Sequence, residues 1–297
     1  MSSSFMIKPG YRPQAEVQRR KVVVTGAGGK IGTYFAEHSH GRHDLLLLVH
    51  SEKKHSRLEP CGEVVACDLG DLARLKELFA GKDTILHLGA RASPSETWGP
   101  LLESNIVGTY NVFVAAEAAR CRRVVFASSI HAVSGYTLDR QVQADDPVSP
   151  GDLYGVSKCF GETMARFMAT QHGLSAICVR IGAFQPLQKA RRPGSLPMMN
   201  AFVSRRDLNQ LLNCCIDDEH LQFAILHGLS NNWFNRMNIA ETKELVGYEP
   251  QDDFTEENPR LRDLGLREQV QPHSQQRSRP SGIRDELNRD RANQDGD

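Results

Sequence analysis

Tyr154 and Lys158 stand four residues apart in Leu153-Tyr154-Gly155-Val156-Ser157-Lys158, a spacing that puts both on one face of a helix. Ser128-Ser129 closes the apolar run that precedes them, Arg123–Ala127. A phenol is a poor base near neutral pH, and an adjacent ammonium favours its phenolate, so Lys158 is expected to lower the Tyr154 pKa. A hydroxyl such as Ser129, opposite the phenol, then holds a substrate oxygen while its proton leaves. Tyr-x-x-x-Lys alone is common on ordinary helix surfaces. It points to proton transfer when a serine ends the preceding strand and a nucleotide site lies upstream.

Thr25-Gly26-Ala27-Gly28-Gly29-Lys30-Ile31-Gly32 has the form of such a site, because it joins a β-type run, Lys21–Thr25, to a helical pattern. Gly26 permits a tight turn, Gly29 lets the backbone approach a pyrophosphate, and Gly32 allows helix and strand to pack closely, with the anion at the helix N-terminus. Glycines that merely shape a turn are the bland alternative, and the strand-to-helix placement weighs against it. The second strand ends on His50, where an acidic residue that binds the adenosine ribose of NAD is usual. Ser51, Lys53, Lys54 and Arg57 nearby would tolerate a 2′-phosphate, which leaves NADP open; the same cations read equally well as a solvated loop. Asp68, ending the third strand, is expected either at the adenine amino group or as an N-cap of the next helix.

The elements that must hold these residues alternate along the chain. Lys21–Thr25, Asp44–Val49, Glu63–Cys67, Thr84–Leu88, Arg123–Ala127 and Ser175–Ile181 read as strands, and segments 30–38, 71–80, 98–120 and 152–171 as helices. Apolar runs without alternation suggest strands buried on both faces, and strand-helix-strand repetition predicts an α/β fold with a doubly wound parallel sheet. After Ile181 the expected order is a loop marked by Pro186, Pro193, Gly194 and Pro197, a helix near 205–216, a strand at 222–226 and a helix at 239–246. The predicted organisation is a disordered arm over 1–20, a dinucleotide-binding core over 21–182, a small substrate-binding portion of the same domain over 183–255, and a disordered polar tail over 256–297.

Among 297 residues, 36 Lys+Arg balance 36 Asp+Glu, which argues against nucleic acid as a partner. No apolar run reaches the roughly 20 residues of a membrane span, and the first twenty residues lack a secretory core, so no membrane partner and a cytoplasmic location are expected. The 7 cysteines form no Cys-x-x-Cys pair and suit neither zinc nor a disulfide framework. His38, His40 and His43 flank Gly41 and read as a surface turn, so no metal is expected.

The chain resembles the extended short-chain dehydrogenase/reductase superfamily, also called the NAD-dependent epimerase/dehydratase family, over residues 21–250. The resemblance rests on Thr25–Gly32, Cys67-Asp68-Leu69, Leu86-His87-Leu88-Gly89-Ala90, Asn105-Ile106-Val107-Gly108-Thr109, Phe126-Ala127-Ser128-Ser129 and Tyr154–Lys158. Leu153–Glu162, Ser129-x-His131 and Val179-Arg180-Ile181-Gly182 are similar more narrowly to the uronate dehydrogenases, which oxidise the anomeric carbon of a hexuronic acid to a lactone with NAD. The resemblance implies a Rossmann fold and a triad of Ser129, Tyr154 and Lys158, with Asn105 arranging the site. It implies a cofactor site of Gly26, Gly28, Gly29, Lys30, Ile31, Gly32, His50, Asp68, Leu69, Leu88, Gly89 and Ala90, shared with Tyr154 and Lys158, and favours NAD. Ser93 and His131, with Ser129, match positions that hold substrate. The chain departs from that group at Ile130, at Ala183, and at Pro197, where a carboxylate-binding Arg is usual; Arg91, Arg191 and Arg192 are the candidate replacements, a substrate without a carboxylate is the alternative, and the favoured bland reading of Arg191 and Arg192 is a solvated loop.

Two other functions fit parts of this pattern. A nucleotide-sugar epimerase or dehydratase shares the loop and the Tyr/Lys pair, but needs a larger C-terminal lobe, and a dehydratase an acidic pair where this chain has Ser129-Ile130-His131. A non-catalytic NAD(P)-binding sensor would share the fold, which never establishes chemistry by itself, but retention of all three triad residues argues against it. The reading is therefore a dehydrogenase of a free sugar or sugar acid, with a homo-oligomer left open.

Overall fold

The computed structural model describes residues 4–8, 19–51 and 55–265. In chain order its elements are β1 (Phe5–Ile7), β2 (Lys21–Thr25), α1 (Lys30–Ser39), β3 (Asp44–Val49), β4 (Glu63–Ala66), α2 (Leu72–Phe79), β5 (Thr84–His87) and α3 (Trp98–Leu101). A π-helical turn, Leu102–Val107, runs into α4 (Gly108–Ala118); β6 (Arg123–Ser129) ends in a 3₁₀ turn, Ile130–Val133, before α5 (Leu153–Gln171). The remainder is β7 (Ser175–Ile181), β8 (Ala183–Gln185), α6 (Leu187–Ala190), a 3₁₀ segment (Pro193–Met198), β9 (Phe202–Ser204), α7 (Arg205–Asp217), β10 (Leu221–Gly228), α8 (Ala240–Val246), α9 (Phe254–Glu257) and α10 (Pro259–Arg262).

The large sheet has 8 strands in the order β1-β10-β7-β6-β5-β2-β3-β4, parallel except for β1. Alternate residues of one strand serve opposite layers: Val22 and Val24 join the core that includes Phe35 and Leu211, while Val23 joins the one that includes Phe79 and Phe113. Each such buried side chain contributes about 1.5–3 kcal/mol, so the apolar strands can persist only with helices over both faces. Strand order reverses between β2 and β5, and the crevice at their C-terminal ends is where α/β sheets bind ligands.

Four expectations differ from this structure. Residues 1–20 do not all form a disordered arm: Phe5–Ile7 pairs antiparallel with β10, and Phe5 and Met6 pack against the two opposite cores, which gives this short strand its stability. Residues 256–265 do not belong to a disordered tail, because Asn258, fully buried, donates from Nδ2 to the Ala190 and Arg192 carbonyls and ties α9 and α10 to the end of α6; the rest of that tail lies outside the described residues. The loop expected after Ile181 contains a second, two-stranded parallel sheet, β8-β9, whose hydrogen bonds offset its proline punctuation. His43 is buried rather than on a surface turn, its Nε2 being 3.0 Å from Asn213 Oδ1.

Candidate active site

The turn after β2 is built as a cradle. Gly26 has φ +66°, and a Cβ there would lie 2.7 Å from the Gly89 nitrogen; one on Gly32 would lie 2.6 Å from the Gly26 carbonyl oxygen. Only glycine allows the β2 turn, the loop after β5 and the start of α1 to meet at those distances. Gly29 caps α1 without a side-chain hydrogen bond, so the helix presents first-turn amides as an anion site, and Gly28 and Lys30 beside it are exposed. These residues fit a dinucleotide pyrophosphate. Ile31 packs its side chain into the core, Leu88 and Ala90 are half-buried, and Leu69 closes against Gly89 and Gly108.

The residues expected at the adenosine end lie just past β3 and β4. His50 is exposed just past β3, and Asp68 is exposed past β4 with Oδ1 accepting the Gly70 N–H at 2.8 Å. Asp68 does not cap α2; Asp71 does, accepting from the Arg74 amide. Arg57, a candidate for a 2′-phosphate, instead forms a two-pronged pair with Glu37 at 2.6 and 2.8 Å. Lys53 and Lys54 lie outside the described residues.

Asp152 starts α5 by accepting the Gly155 N–H at 2.7 Å, which brings Tyr154 and Lys158 to the end of β6. Ser129 Oγ accepts the His131 amide at 3.2 Å, and the Ser129 hydroxyl stands beside the Tyr154 phenol. Lys158 is buried; its Nζ donates to the Ala127 carbonyl at 2.8 Å and lies 5.5 Å from the centre of the Tyr154 ring. Burial pushes the Lys158 ammonium down to about 8, with the Glu162 charge opposing. The Tyr154 phenol is held above its ordinary value by burial, and the neighbouring Ser129 hydroxyl opposes that rise. The expected lowering by Lys158 is thus replaced by a different balance: desolvation dominates, and Ser129 is the group that favours the phenolate.

Asn105 sits buried in the π-helical turn. Its Oδ1 accepts the Arg91 N–H at 2.8 Å, and its Nδ2 donates to the Arg91 carbonyl at 3.1 Å and to Ser157 Oγ at 2.9 Å. Ser157 in turn donates to the Tyr154 carbonyl, so one amide fixes the loop after β5 to the first turn of α5. The Arg91 side chain projects from that clamped backbone and is exposed. Ser93 is half-buried in a local turn, its Oγ 2.9 Å from that of Ser95. His131 lies beside Tyr154, ring centres 5.4 Å apart. Arg191 does not join this group: its guanidinium is exposed and paired with Glu257 at 2.7 Å. Pro197 lies exposed in the 3₁₀ segment after α6.

Residues 22–185 match the family described as the NAD dependent epimerase/dehydratase family. The chain belongs to that family. Within it, the chain is 32% identical over 78% of its length to a uronate dehydrogenase of Pseudomonas putida, of which it covers 84%. It is 31% identical to an NAD-dependent glucose-6-phosphate dehydrogenase of Haloferax volcanii, covering 79% of this chain and 94% of that one. Among solved structures it is similar to a mutant uronate dehydrogenase from Agrobacterium tumefaciens complexed with NAD, at TM-score 0.73 and 30% identity over 87% of this chain and 93% of that one.

Other polar groups of this family member lie beneath the site and escaped the sequence reading. His87 is fully enclosed, Nδ1 2.7 Å from Thr25 Oγ1 and Nε2 3.2 Å from Thr109 Oγ1, and burial lowers its pKa to about 3. Glu162 receives Arg180 through two bonds of 2.9 Å and Ser128 Oγ at 2.6 Å, all of them buried. Asp152 meets His131 Nδ1 at 2.7 Å. His87, Glu162 and Arg180 sit in quoted motifs but carried no separate signal, whereas an Asp directly before a helical pattern is a readable N-cap.

Proposed function

We propose that this protein is an NAD-dependent dehydrogenase that oxidises the anomeric carbon of a free hexuronic acid to its lactone. The observation that carries the reading is the meeting of Ser129, at the end of β6, with Tyr154, in the first turn of α5, with buried Lys158 one helical turn away and the glycine cradle at the neighbouring strand ends. Ser129 and Tyr154 hold O1 of the sugar between their hydroxyls. Tyr154, as its phenolate, takes the proton from O1 and becomes the neutral phenol, and the C1–O1 bond becomes the lactone carbonyl. Bound NAD supplies the acceptor for the hydride that leaves C1. Lys158 keeps a positive charge beside the phenol, and Asn105 keeps Tyr154 in register with the loop after β5.

Arg91 is the cation this reading assigns to the substrate carboxylate, since its backbone is gripped by Asn105 while Arg191 is occupied by Glu257. The relative that acts on glucose 6-phosphate motivates a second substrate class, because a C6 phosphate would suit the same cation. A dehydratase reading is disfavoured by Ile130 next to Ser129, which leaves no acid there, and an epimerase reading by the small C-terminal portion after Ile181. The test is cofactor reduction with NAD and NADP over glucuronate, galacturonate, glucose 6-phosphate and glucose. Turnover of a uronate with NAD is expected; inert uronates beside an active neutral or phosphorylated sugar would overturn the substrate assignment and leave the dehydrogenase chemistry standing.

A further inference from the structure

His131 is the second residue of the 3₁₀ turn after β6, its ring meeting that of Tyr154 in a T-shaped contact at an interplanar angle of 64°. Its Nδ1 lies 2.7 Å from Asp152 Oδ2, and the other oxygen of that carboxylate accepts the Gly155 N–H that starts α5. Both oxygens of Asp152 therefore have fixed tasks, one on the helix and one on the imidazole. A carboxylate offers only lone pairs, so the hydrogen of the His131–Asp152 bond resides on Nδ1. In the neutral ring the opposite nitrogen, Nε2, then carries the lone pair. Nε2 makes no hydrogen bond among the described residues, and the His131 side chain keeps 31% of its surface exposed beside the Tyr154 ring.

We infer that Asp152 is a positioning residue that locks His131 in its Nδ1–H tautomer, so that Nε2 accepts a hydrogen bond from a ring hydroxyl of the bound sugar. The inference rests on the sugar-dehydrogenase reading above. A lone pair backed by a carboxylate selects a donor: a sugar hydroxyl satisfies it, and a substrate carboxylate facing Nε2 would find no hydrogen and the charge of Asp152 behind it. His131 thereby reads the hydroxyl side of the ring and leaves the anionic substituent to Arg91. The O1 proton goes to Tyr154, so His131 selects without taking part in the oxidation.

Asp152→Asn inverts the arrangement with little change of shape. The Gly155 N–H requires the amide oxygen, which turns the amide NH2 toward His131 Nδ1 and moves the ring proton to Nε2. Nitrogen NMR of the full chain labelled with 15N-histidine, near pH 8 where an ordinary imidazole is neutral, reads this directly; His131→Gln assigns the resonance among the 11 histidines. The expected result is Nδ1–H in the parent and Nε2–H in Asp152→Asn, with an unchanged melting temperature because the cap survives. In kinetics, kcat/KM for glucuronate falls about 10- to 100-fold in Asp152→Asn. Among monodeoxy glucuronates, one costs the parent a similar factor and costs the variant little more. An Nε2–H parent overturns the inference, as do parent-like rates in Asp152→Asn or deoxy penalties that do not change between the two proteins. If no sugar is oxidised by the parent, the functional reading fails and the hydroxyl contact with it, while the tautomer result still decides the role of Asp152.

Discussion

Replacing Gly26 by Ala should cost stability and cofactor affinity together. At φ +66° an L side chain is strained by about 1–2 kcal/mol. The new Cβ would stand 2.7 Å from the Gly89 nitrogen, 2.8 Å from its Cα and 2.9 Å from the Leu88 carbonyl carbon. All three are backbone atoms, so the loop after β5 must move, a kind of overpacking that costs about 1–3 kcal/mol. The total, about 2–5 kcal/mol, converts to a melting temperature lower by roughly 4–20 °C for a chain of this size. Gly89 is also tied to the end of β2, its N–H bonding Thr25 Oγ1 at 3.1 Å, so the displacement opens the crevice where the nicotinamide half of the cofactor would lie. Thermal unfolding by calorimetry and NAD titration by fluorescence measure the two losses, with Gly41→Ala as control: no atom lies within 4 Å of its Cβ, and a change within about 0.5 kcal/mol is expected. A Gly26→Ala protein as stable as the parent, with unchanged NAD affinity, would refute the reasoning.

Tyr154→Phe should lower turnover by about 10²–10⁴ while the NAD dissociation constant changes less than twofold, since it deletes the base and spares the cradle; steady-state rates and cofactor titration separate the two. His50→Asp should shift the ratio of catalytic efficiencies toward NAD, because a carboxylate at the end of β3 accepts a ribose hydroxyl and repels a 2′-phosphate; movement toward NADP would mean the ribose lies elsewhere. Arg91→Ala should raise KM for uronates about 10-fold or more and leave a neutral aldose nearly unaffected, and equal effects on both would remove Arg91 from carboxylate binding. Burial holds His87 and His227 neutral, with pKa values of about 3. The unfolded chain takes up those protons first as pH falls through about 6.5, so stability is unaffected above that value and is lost between it and the folded value, by up to about 2–3 kcal/mol per histidine at pH 4.5. Urea unfolding at pH 7 and 4.5 should show that drop, and His87→Gln or His227→Gln should flatten it.

Strands β2, β3, β5, β6 and β7 are legible in the sequence because each is an apolar run that needs cover on both faces, and the long α5 because residues 152–171 carry a helical pattern. β1 is not legible: three residues in a polar arm become a strand only because β10, far along the chain, offers an unpaired edge. β8 and β9, three residues each and separated by a proline-marked segment, are too short to carry a pattern, and their stability comes from pairing with each other. At the site, the residue types of the triad and the cradle carry their chemistry in local spacing. What spacing cannot show is desolvation, which raises Tyr154 and depresses Lys158, or long-range partners: Glu257 holds Arg191 from 66 residues away. His131 and Asp152, 21 residues apart, are likewise joined only by the packing of a 3₁₀ turn on α5.

The proposed reaction stands on hydride loss from C1 of a uronic acid with Tyr154 as the base. Incubation of the full chain with NAD and glucuronate carrying deuterium at C1, followed by NMR of both products, tests it most directly. Deuterium is expected on C4 of the reduced nicotinamide, with a lactone free of deuterium at C1 and no transfer in Tyr154→Phe over the same time. Deuterium retained on the sugar while NAD is reduced, or transfer at the parent rate in Tyr154→Phe, would contradict it.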